Sequence, residues 1–250
     1  MSEAAPVPKR EAQEVFVVGA AGRLGRLACE VVEADPGLRL TGRFRSSDDW
    51  LPHARPEAIA FEATRAGLGF AHARALLERG VRPVVATSGV SREELEALDR
   101  LAREARLGGR VVPNLSFGAW VLERAVRLAA SGFPELSILE THHPQKRDAP
   151  SGTAKHLAAI VEDGTGRRPS IRSLREEGAY AEHQLRLEAQ GEVLLLEHRM
   201  SGPRAFAQGI RFALRLAAGD EGVQLGLPWE QVVERPGEEA SEEPGESPGG

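Results

Sequence analysis

Residues 140–154, ETHHPQKRDAPSGTA, concentrate side chains that can do chemistry. His142 can deliver a proton near neutral pH, and Lys146 offers a compact positive charge to a carboxylate or a developing anion. The sequence Ser-Gly-Thr at 151–153 predicts a helix start, where free N–H groups and the positive end of the helix dipole bind anions. Together these features predict a pocket for a small dicarboxylate that is protonated during the reaction.

A metal site is an alternative for the same segment, because His142, His143 and Asp148 all carry atoms that can ligate a metal. Adjacent residues of a strand point to opposite faces, so the two histidines would not naturally share one ion. The chain also lacks the HExxH pattern of helical zinc sites. We therefore predict no metal at this site.

Three glycines mark a second candidate site. Gly19, Gly22 and Gly25 lie between a short apolar run, VFVVG, and a segment whose apolar residues have helical spacing. Glycines in that context let the backbone turn tightly and approach a pyrophosphate, which then faces the N-terminus of the following helix. The spacing GxxGxxG predicts a dinucleotide-binding loop. A merely tight connection between strand and helix is the alternative.

The end of the second predicted strand indicates which dinucleotide binds. Many dinucleotide sites place an acidic residue there to bind the ribose hydroxyls, but the sequence TGRFRSS has no carboxylate before Asp48. Arg43, Arg45 and Ser46 instead offer donors that suit a 2′-phosphate. We therefore predict that NADPH is accepted and that NADH is not strongly preferred. The alternative is that both arginines are solvated surface charges.

The elements that must position these residues change in kind along the chain. Up to Gly118, strand-like apolar runs alternate with amphipathic segments of about 10–15 residues, which predicts a parallel, doubly wound sheet. Beyond Gly118, the strand-like segments 183–190 and 192–200 follow each other directly, with Gly191 between them. This predicts an antiparallel or mixed sheet. The expected fold class is α/β, a Rossmann-like doubly wound parallel sheet plus a smaller α+β domain with a mixed sheet.

Composition excludes several classes of protein. The 250 residues are 41% hydrophobic and 28% charged, with a mean hydropathy of −0.30, and no apolar run approaches the roughly 18 residues of a membrane span. Residues 235–250 carry five Glu and one Arg, which account for −4 of the net charge of −5, so nothing favours nucleic acid or a membrane as partner. We expect residues 1–13 to be a disordered leader and residues 235–250 a disordered acidic tail. The single Cys29 excludes an intrachain disulfide and fits a reducing cytoplasm.

The segment 140–154 resembles the signature of the dihydrodipicolinate reductase family, also called 4-hydroxy-tetrahydrodipicolinate reductase. That signature is E-x-H-H-x-x-K-x-D-A-P-S-G-T-A, and every specified position is matched. The resemblance extends over residues 15–233: GAAGRLG is similar to the family's cofactor loop, and Arg204, Phe206 and Gly209 match late in the chain. Two departures stand out. Ala86 replaces a glycine that lies against the cofactor, and Glu62 replaces an aspartate.

The resemblance implies a role for each matched residue. His142 would be the proton donor and Lys146 a second catalytic acid. The substrate-binding residues would be His143, Ser151, Gly152 and Thr153. The cofactor-binding residues would be Gly19, Ala20, Ala21, Gly22, Arg23, Leu24, Arg45, Ser46, Ala86, Thr87, Ser88, Pro113, Asn114 and Leu115.

The resemblance also implies a reaction and an architecture. The reaction is the NADPH- or NADH-dependent reduction of a cyclic dicarboxylate, 4-hydroxy-tetrahydrodipicolinate or dihydrodipicolinate, to tetrahydrodipicolinate in lysine and diaminopimelate biosynthesis. A dinucleotide-binding domain would comprise residues 14–116 and 205–234. Residues 117–204 would bind substrate and assemble four subunits into a homotetramer.

Two other functions stay open on the residues alone. One is another NAD(P)-dependent reductase of a small carboxylate, and the other is a non-enzymatic, NADP-sensing Rossmann protein. Both would share the glycine loop, but neither accounts for His142 and Lys146.

Overall fold

Two β-sheets organise residues 11–233, the part of the chain that the computed structural model describes. The strands there are β1 (Gln13–Val18), β2 (Leu38–Phe44), β3 (Ile59–Glu62), β4 (Arg82–Val85), β5 (Gly108–Val111), β6 (Glu135–His142), β7 (Ser170–Arg175), β8 (Ala181–Ala189), β9 (Glu192–Met200) and β10 (Gly222–Leu225). The helices are α1 (Arg23–Glu33), α2 (Gly69–Leu77), α3 (Arg92–Glu104), α4 (Phe117–Ala129), α5 (Gly152–Thr165), α6 (Ala207–Gly219) and α7 (Glu230–Val233). None of the helices between residues 11 and 233 combines the length and hydropathy that a transmembrane span requires. The predicted leader up to residue 10 and the predicted tail lie outside the described residues.

The first sheet is parallel throughout, in the order β10-β5-β4-β3-β1-β2. Its interior strands β5, β4, β3 and β1 are buried on both faces, as parallel strands covered by helices are. Val15 and Val17 pack in the core with α1 and α6, whereas Phe16 and Val18 pack on the opposite side with Leu76 of α2. The predicted doubly wound sheet is therefore confirmed. From β1 the chain continues to β2 on one side and β3 on the other, a reversal of strand order that creates a ligand crevice at the carboxyl ends of the strands.

The second sheet is mixed, in the order β7-β6-β8-β9. β6 and β7 are parallel, and the other two pairs are antiparallel, which confirms the predicted change in kind. One face packs on α4 and α5 around Val126, Leu157 and Leu185. The opposite face presents apolar side chains to solvent: Val193 and Leu195 of β9 are 47% and 52% exposed.

The last part of the described chain returns to the first sheet. Helix α6 contributes to the core around β1 and β3, and β10 pairs in parallel with β5. Arg110 of β5, only 6% exposed, donates to both Asp220 carboxylate oxygens at 2.7 and 3.0 Å and to the Gly226 carbonyl at 2.9 Å. These contacts fix β10 at the edge of the sheet.

Two strands, β7 and β10, were not predicted. β7, with the sequence SIRSLR, has only two apolar residues in six, and β10 has only four residues. Neither segment carries a periodic signal strong enough to be recognised, because both are held in place by pairing with strands that are distant in sequence. Cys29 is buried in α1.

Candidate active site

The loop between β1 and α1 is shaped by two close backbone approaches. A Cβ at Gly19, where φ is +88°, would lie 2.5 Å from the Ala63 carbonyl oxygen, and a Cβ at Gly25 would lie 2.2 Å from the Gly19 carbonyl oxygen. The Gly19 and Ala20 N–H groups both donate to the Phe44 carbonyl at 2.8 Å. Gly22 is the N-cap of α1, and no side chain caps this helix, so its first N–H groups suit an anion. The loop therefore fits the pyrophosphate of a dinucleotide.

Two further loops border the same crevice. Three glycine-loop residues form one wall of a cavity of about 420 Å³, and the loops after β4 and β5 form a second wall of the same cavity. Among the predicted cofactor residues, those that line it are Gly22, Arg23, Leu24, Ala86, Thr87, Ser88 and Pro113. Asn114 and Leu115 line an adjoining cavity of about 150 Å³, together with Leu24 and Ala86. Gly19, Ala20 and Ala21 form the turn itself and line neither of these two cavities.

Glu62 has a role that the sequence did not indicate. It is fully buried at the end of β3 and accepts hydrogen bonds from the Thr64 N–H at 3.1 Å and the Thr87 hydroxyl at 2.6 Å. The His72 ring lies 3.2 Å away. Burial alone would raise the pKa of Glu62, but its hydrogen bonds with His72, Thr64 and Thr87 outweigh burial and lower it. Glu62 thus joins the loops after β3 and β4.

The predicted phosphate-binding residues Arg45 and Ser46 follow β2 and are exposed. Neither lines the two cavities described above. The Arg45 N–H donates to the Asp48 carboxylate at 2.7 Å. Arg43 bonds to Glu33 at 2.5 Å, which leaves Arg45 as the better candidate for a phosphate. Its contact with a cofactor stays a prediction.

The signature segment surrounds a third cavity, of about 380 Å³. Four of the residues predicted for catalysis or substrate binding line it: His142, His143, Lys146 and Thr153. His142 ends β6 and is 7% exposed, whereas His143 is more exposed, as adjacent strand residues require. Lys146 bonds to both Asp148 oxygens, at 2.8 and 3.0 Å. The structure therefore brings both predicted catalytic residues to one cavity.

A fully buried carboxylate lies behind His142. Glu140, two residues earlier on the same face of β6, contacts His142 Nδ1 through Oε2, and Arg175 donates to Glu140 Oε1 at 3.2 Å. Burial would raise the pKa of Glu140, but Ser173, His142 and Arg175 outweigh it and lower that pKa. For His142, burial is the largest influence and lowers the pKa, Glu140 opposes it, and the charge of Lys146 lowers the pKa further. With Nδ1 facing the carboxylate, Nε2 is the atom left for a substrate.

Arg175 is a site residue that sequence reasoning missed. Besides Glu140, it donates to the Lys146 carbonyl at 3.2 Å and to the Asp148 carbonyl at 2.6 Å. One guanidinium therefore fixes both the carboxylate behind His142 and the loop that carries Lys146. Its signal in the sequence is weak, because a single arginine in an unpredicted strand is ordinary.

The N-terminus of α5 provides an anion site at the same cavity. Ser151 is buried and caps the helix, with its hydroxyl oxygen accepting the Ala154 N–H at 3.1 Å. The Gly152 and Thr153 N–H groups have no acceptor within residues 11–233, and Thr153 lines the cavity. These two groups suit a carboxylate.

The cofactor and substrate cavities adjoin each other. Arg23 lines both the cavity of about 420 Å³ at the glycine loop and the cavity of the signature segment, and its guanidinium lies 3.4 Å from the His143 ring. Phe206, just before α6, lines all three cavities. A hydride donor above the first sheet would therefore face a substrate held by the second.

One buried cluster has the composition of a metal site. Glu140, His142 and His183 of β8 each place one ligating atom within 4.8 Å of the others. This is a different set from the histidine pair considered in the sequence, and it arises because Glu140 and His183 are direct cross-strand partners. Arg175 and Lys146 already place positive charge beside these groups. That the site needs no metal stays a prediction.

A glycine loop on a parallel sheet, facing a cavity with a histidine and a lysine, defines a nicotinamide-dependent oxidoreductase. Residues 13–115 match the family model "Dihydrodipicolinate reductase, N-terminus", and residues 118–226 match "Dihydrodipicolinate reductase, C-terminus". The chain belongs to the dihydrodipicolinate reductase family.

Individual relatives agree with this assignment. The 4-hydroxy-tetrahydrodipicolinate reductase of Streptococcus gordonii is 32% identical over 236 residues, which cover 81% of this chain and 92% of the relative. That of Beutenbergia cavernae is 31% identical over 237 residues, covering 85% and 96%. In fold, the chain is similar to the dipicolinate-bound dihydrodipicolinate reductase of Paenisporosarcina sp. TG-14, with a TM-score of 0.74, 23% identity, and coverage of 88% of this chain and 99% of that one.

Proposed function

We propose that this protein reduces 4-hydroxy-tetrahydrodipicolinate, or its dehydrated form dihydrodipicolinate, to tetrahydrodipicolinate in lysine and diaminopimelate biosynthesis. The observation that carries the proposal is the cavity that His142, Lys146 and Thr153 share with Arg23 of the glycine loop. Relatives that are about a third identical to this chain are named for this reaction. The similar structure from Paenisporosarcina was solved with dipicolinate, a planar dicarboxylate, bound.

The cavity offers two separate positive features to a dicarboxylate. Lys146 provides an ammonium group on one side, held by Asp148, and the N–H groups of Gly152 and Thr153 provide a second site at the start of α5. His143, whose two ring nitrogens face Arg23 and Gln145, borders the same cavity. Two carboxylates on one ring would thus be held by groups of different kinds, which fixes the ring orientation.

His142 supplies the proton that the reduced ring requires. With Nδ1 facing the Glu140 carboxylate, a proton at Nε2 toward the cavity requires the imidazolium, and the charge of Glu140 favours that form. Arg175 keeps Glu140 ionised in a fully buried position. A bound dianion would favour the imidazolium and oppose the effect of burial on His142.

The crevice above the first sheet would hold the nicotinamide cofactor, which supplies the hydride when bound. The glycine loop and the first turn of α1 would take the pyrophosphate. Residues 86–88 and 113–115 would border the nicotinamide. We further propose that NADPH and NADH both bind, with Arg45 and Ser46 at the 2′-phosphate of NADPH.

The arrangement of the whole protein is proposed on the same basis. Residues 14–116 and 205–234 would form the dinucleotide-binding domain, and residues 117–204 the substrate-binding domain. Four chains would assemble through the exposed face of the second sheet, where Val193 and Leu195 lie. The reaction would take place in the cytoplasm.

The test is oxidation of NADPH, followed by absorbance, with freshly prepared pathway intermediate. The parent protein should turn over, and dipicolinate should inhibit competitively. In Lys146→Ala, both the rate and the inhibition should fall, because the ammonium faces the anionic ring. Lys155→Ala, at an exposed position on α5, serves as the matched control. No turnover by the parent, or equal inhibition of parent and Lys146→Ala, would contradict the proposal.

A further inference from the structure

Two histidines on neighbouring strands make the same unusual contact. His183 of β8 and His198 of β9 are direct cross-strand partners. The Nε2 atom of His183 lies 3.2 Å from the hydroxyl of Ser151, the N-cap of α5. The Nε2 atom of His198 lies 3.3 Å from the hydroxyl of Ser116, the N-cap of α4. Each ring therefore contacts the start of a different helix.

The direction of these hydrogen bonds follows from the groups available. Each serine oxygen already accepts a backbone N–H, from Ala154 at 3.1 Å and from Ala119 at 3.2 Å. If the hydroxyls donate to Nε2, each histidine leaves only its Nδ1 without a partner. If Nε2 donated instead, both the hydroxyl proton and Nδ1 would be unpaired in a buried site, which costs more. The two imidazoles are therefore neutral acceptors.

Burial agrees with this protonation state. His183 is 3% exposed, and burial, with a smaller contribution from the charge of His142, lowers its pKa to about 4. Burial also lowers the pKa of His198. Both rings are thus uncharged at neutral pH.

The starts of α4 and α5 border the positions proposed for two different ligands, the nicotinamide cofactor and the substrate. The Ser116 N–H donates to the Asn114 side chain at 3.0 Å, which closes the loop that borders the nicotinamide position. Ser151 precedes the Gly152 and Thr153 N–H groups assigned to a substrate carboxylate. Both histidines line the cavity of about 150 Å³ that adjoins the glycine-loop cavity, and Asn114 and Thr153 line it as well.

We propose that His183 and His198 are positioning residues, with His198 fixing the cofactor-side loop through Ser116 and His183 fixing the substrate-side helix start through Ser151. This inference rests on the proposed function for the identity of the two ligands. Neither histidine belongs to the signature segment. Because the two histidines pair directly across β8 and β9, the same pair of strands holds the cofactor-side loop and the substrate-side helix start.

Gly118 offers an independent probe of His198. A Cβ at this position in the first turn of α4 would lie 2.7 Å from both Cδ2 and Nε2 of His198. Alanine favours a helix over glycine, so Gly118→Ala should not lower the melting temperature through α4 itself. It should nevertheless displace the ring from Ser116.

The experiment measures the two ligands separately. NADPH affinity is measured by fluorescence titration, and dipicolinate affinity by competitive inhibition. His198→Leu, Ser116→Ala and Gly118→Ala should weaken NADPH binding by about two- to thirtyfold, the range expected for a lost N-cap interaction, and should affect dipicolinate less. His183→Leu should weaken dipicolinate binding by a similar factor and affect NADPH less. His183→Gln and His198→Gln, which keep an acceptor near the Nε2 position, should restore most of the affinity.

His156→Leu, at an exposed histidine of α5, is the control and should match the parent. If His198→Leu does not fold, Ser116→Ala and Gly118→Ala decide the matter. Unchanged NADPH affinity in those two variants, or equal weakening of both ligands in every variant, would overturn the proposal. A parent that binds NADPH but neither binds dipicolinate nor turns over the intermediate would instead refute the proposed function, and the His198 variants would still test the cofactor half.

Discussion

At the scale of single residues, the proposed role of His142 as proton donor depends on the charge of its ring. In the free protein, burial lowers its pKa, and the adjacent Glu140 offsets only part of that effect. A dianionic substrate changes this balance, because it places negative charge on the side of the ring that faces the cavity. Substrate binding would therefore favour the charged form of the proposed proton donor.

We expect His142→Gln to lower kcat by about 10²–10⁴, the usual value of a positioned proton donor. NADPH affinity should stay nearly unchanged, because His142 does not line the cavity next to the glycine loop. Steady-state kinetics and fluorescence titration measure the two effects, with His156→Gln as the control. A variant with near-normal kcat would remove His142 from the role of proton donor.

The pH dependence of kcat/KM should report the ionisation of His142. The donor must be protonated, so activity is lost as pH rises through its pKa. Because that pKa is lowered in the free protein, the basic limb of kcat/KM should lie below the ordinary histidine value of about 6.5. The corresponding limb of kcat should lie at higher pH, since the bound dianion stabilises the imidazolium. Profiles that keep the same limb in His142→Gln would assign it to another group.

We also expect cofactor preference to depend on one side chain, that of Arg45. Arg45→Gln should reduce the ratio of kcat/KM for NADPH to that for NADH, by roughly tenfold or less because the arginine is exposed and screened by salt. Arg43→Gln is the matched comparison, since Arg43 already bonds to Glu33. A parent that prefers NADH tenfold, or a ratio that only Arg43→Gln alters, would show that Arg45 is surface charge.

At the scale of elements, β7 contributes more than its six residues suggest. It places Arg175 where one guanidinium reaches Glu140 and the carbonyls of Lys146 and Asp148. The strand thus ties the proton donor and the lysine loop to the same sheet edge.

Arg175→Leu should weaken dipicolinate binding by about tenfold and destabilise the fold on the order of 3 kcal/mol, because Glu140 is left buried without its partner. Arg175→Lys should recover stability more than affinity, since an ammonium cannot reach all three acceptors. Inhibition kinetics and thermal unfolding measure the two effects. Arg172→Leu, an exposed arginine on the same strand, should change neither, and an equal effect there would contradict the role of Arg175.

The sequence predicted those parts of the site whose signals are local. The glycine loop and the segment 140–154 each carry their chemistry within fifteen residues, so spacing alone indicated them. Arg175, His183 and His198 join the site only through strand register, such as the pairing of Glu140 with His183. Register between strands so distant in sequence depends on the packing of the whole sheet, and no local pattern records it.

At the scale of the whole molecule, the exposed face of the second sheet is the proposed assembly surface. Val193→Glu combined with Leu195→Glu should break the tetramer, because charges would face each other across a face that is apolar in the parent. Sedimentation should give about four times the chain mass of 26.9 kDa for the parent and less for the variant. Leu225→Glu, which changes an equally exposed leucine on the first sheet, is the control. A monomeric parent, or an effect confined to Leu225→Glu, would contradict this surface.

Because β10 belongs to the first sheet but is synthesised last, that sheet cannot be completed until almost the whole chain has left the ribosome. Strand β5 is interior in the finished sheet, but it has a bare edge until residues 222–225 are synthesised, and Arg110 lacks Asp220 for the same interval. All strands of the mixed sheet, β6 to β9, are synthesised during that interval, because they lie between β5 and β10 in the chain. The half that is translated first is therefore the half that closes last, and an unfinished chain is most exposed to aggregation at β5.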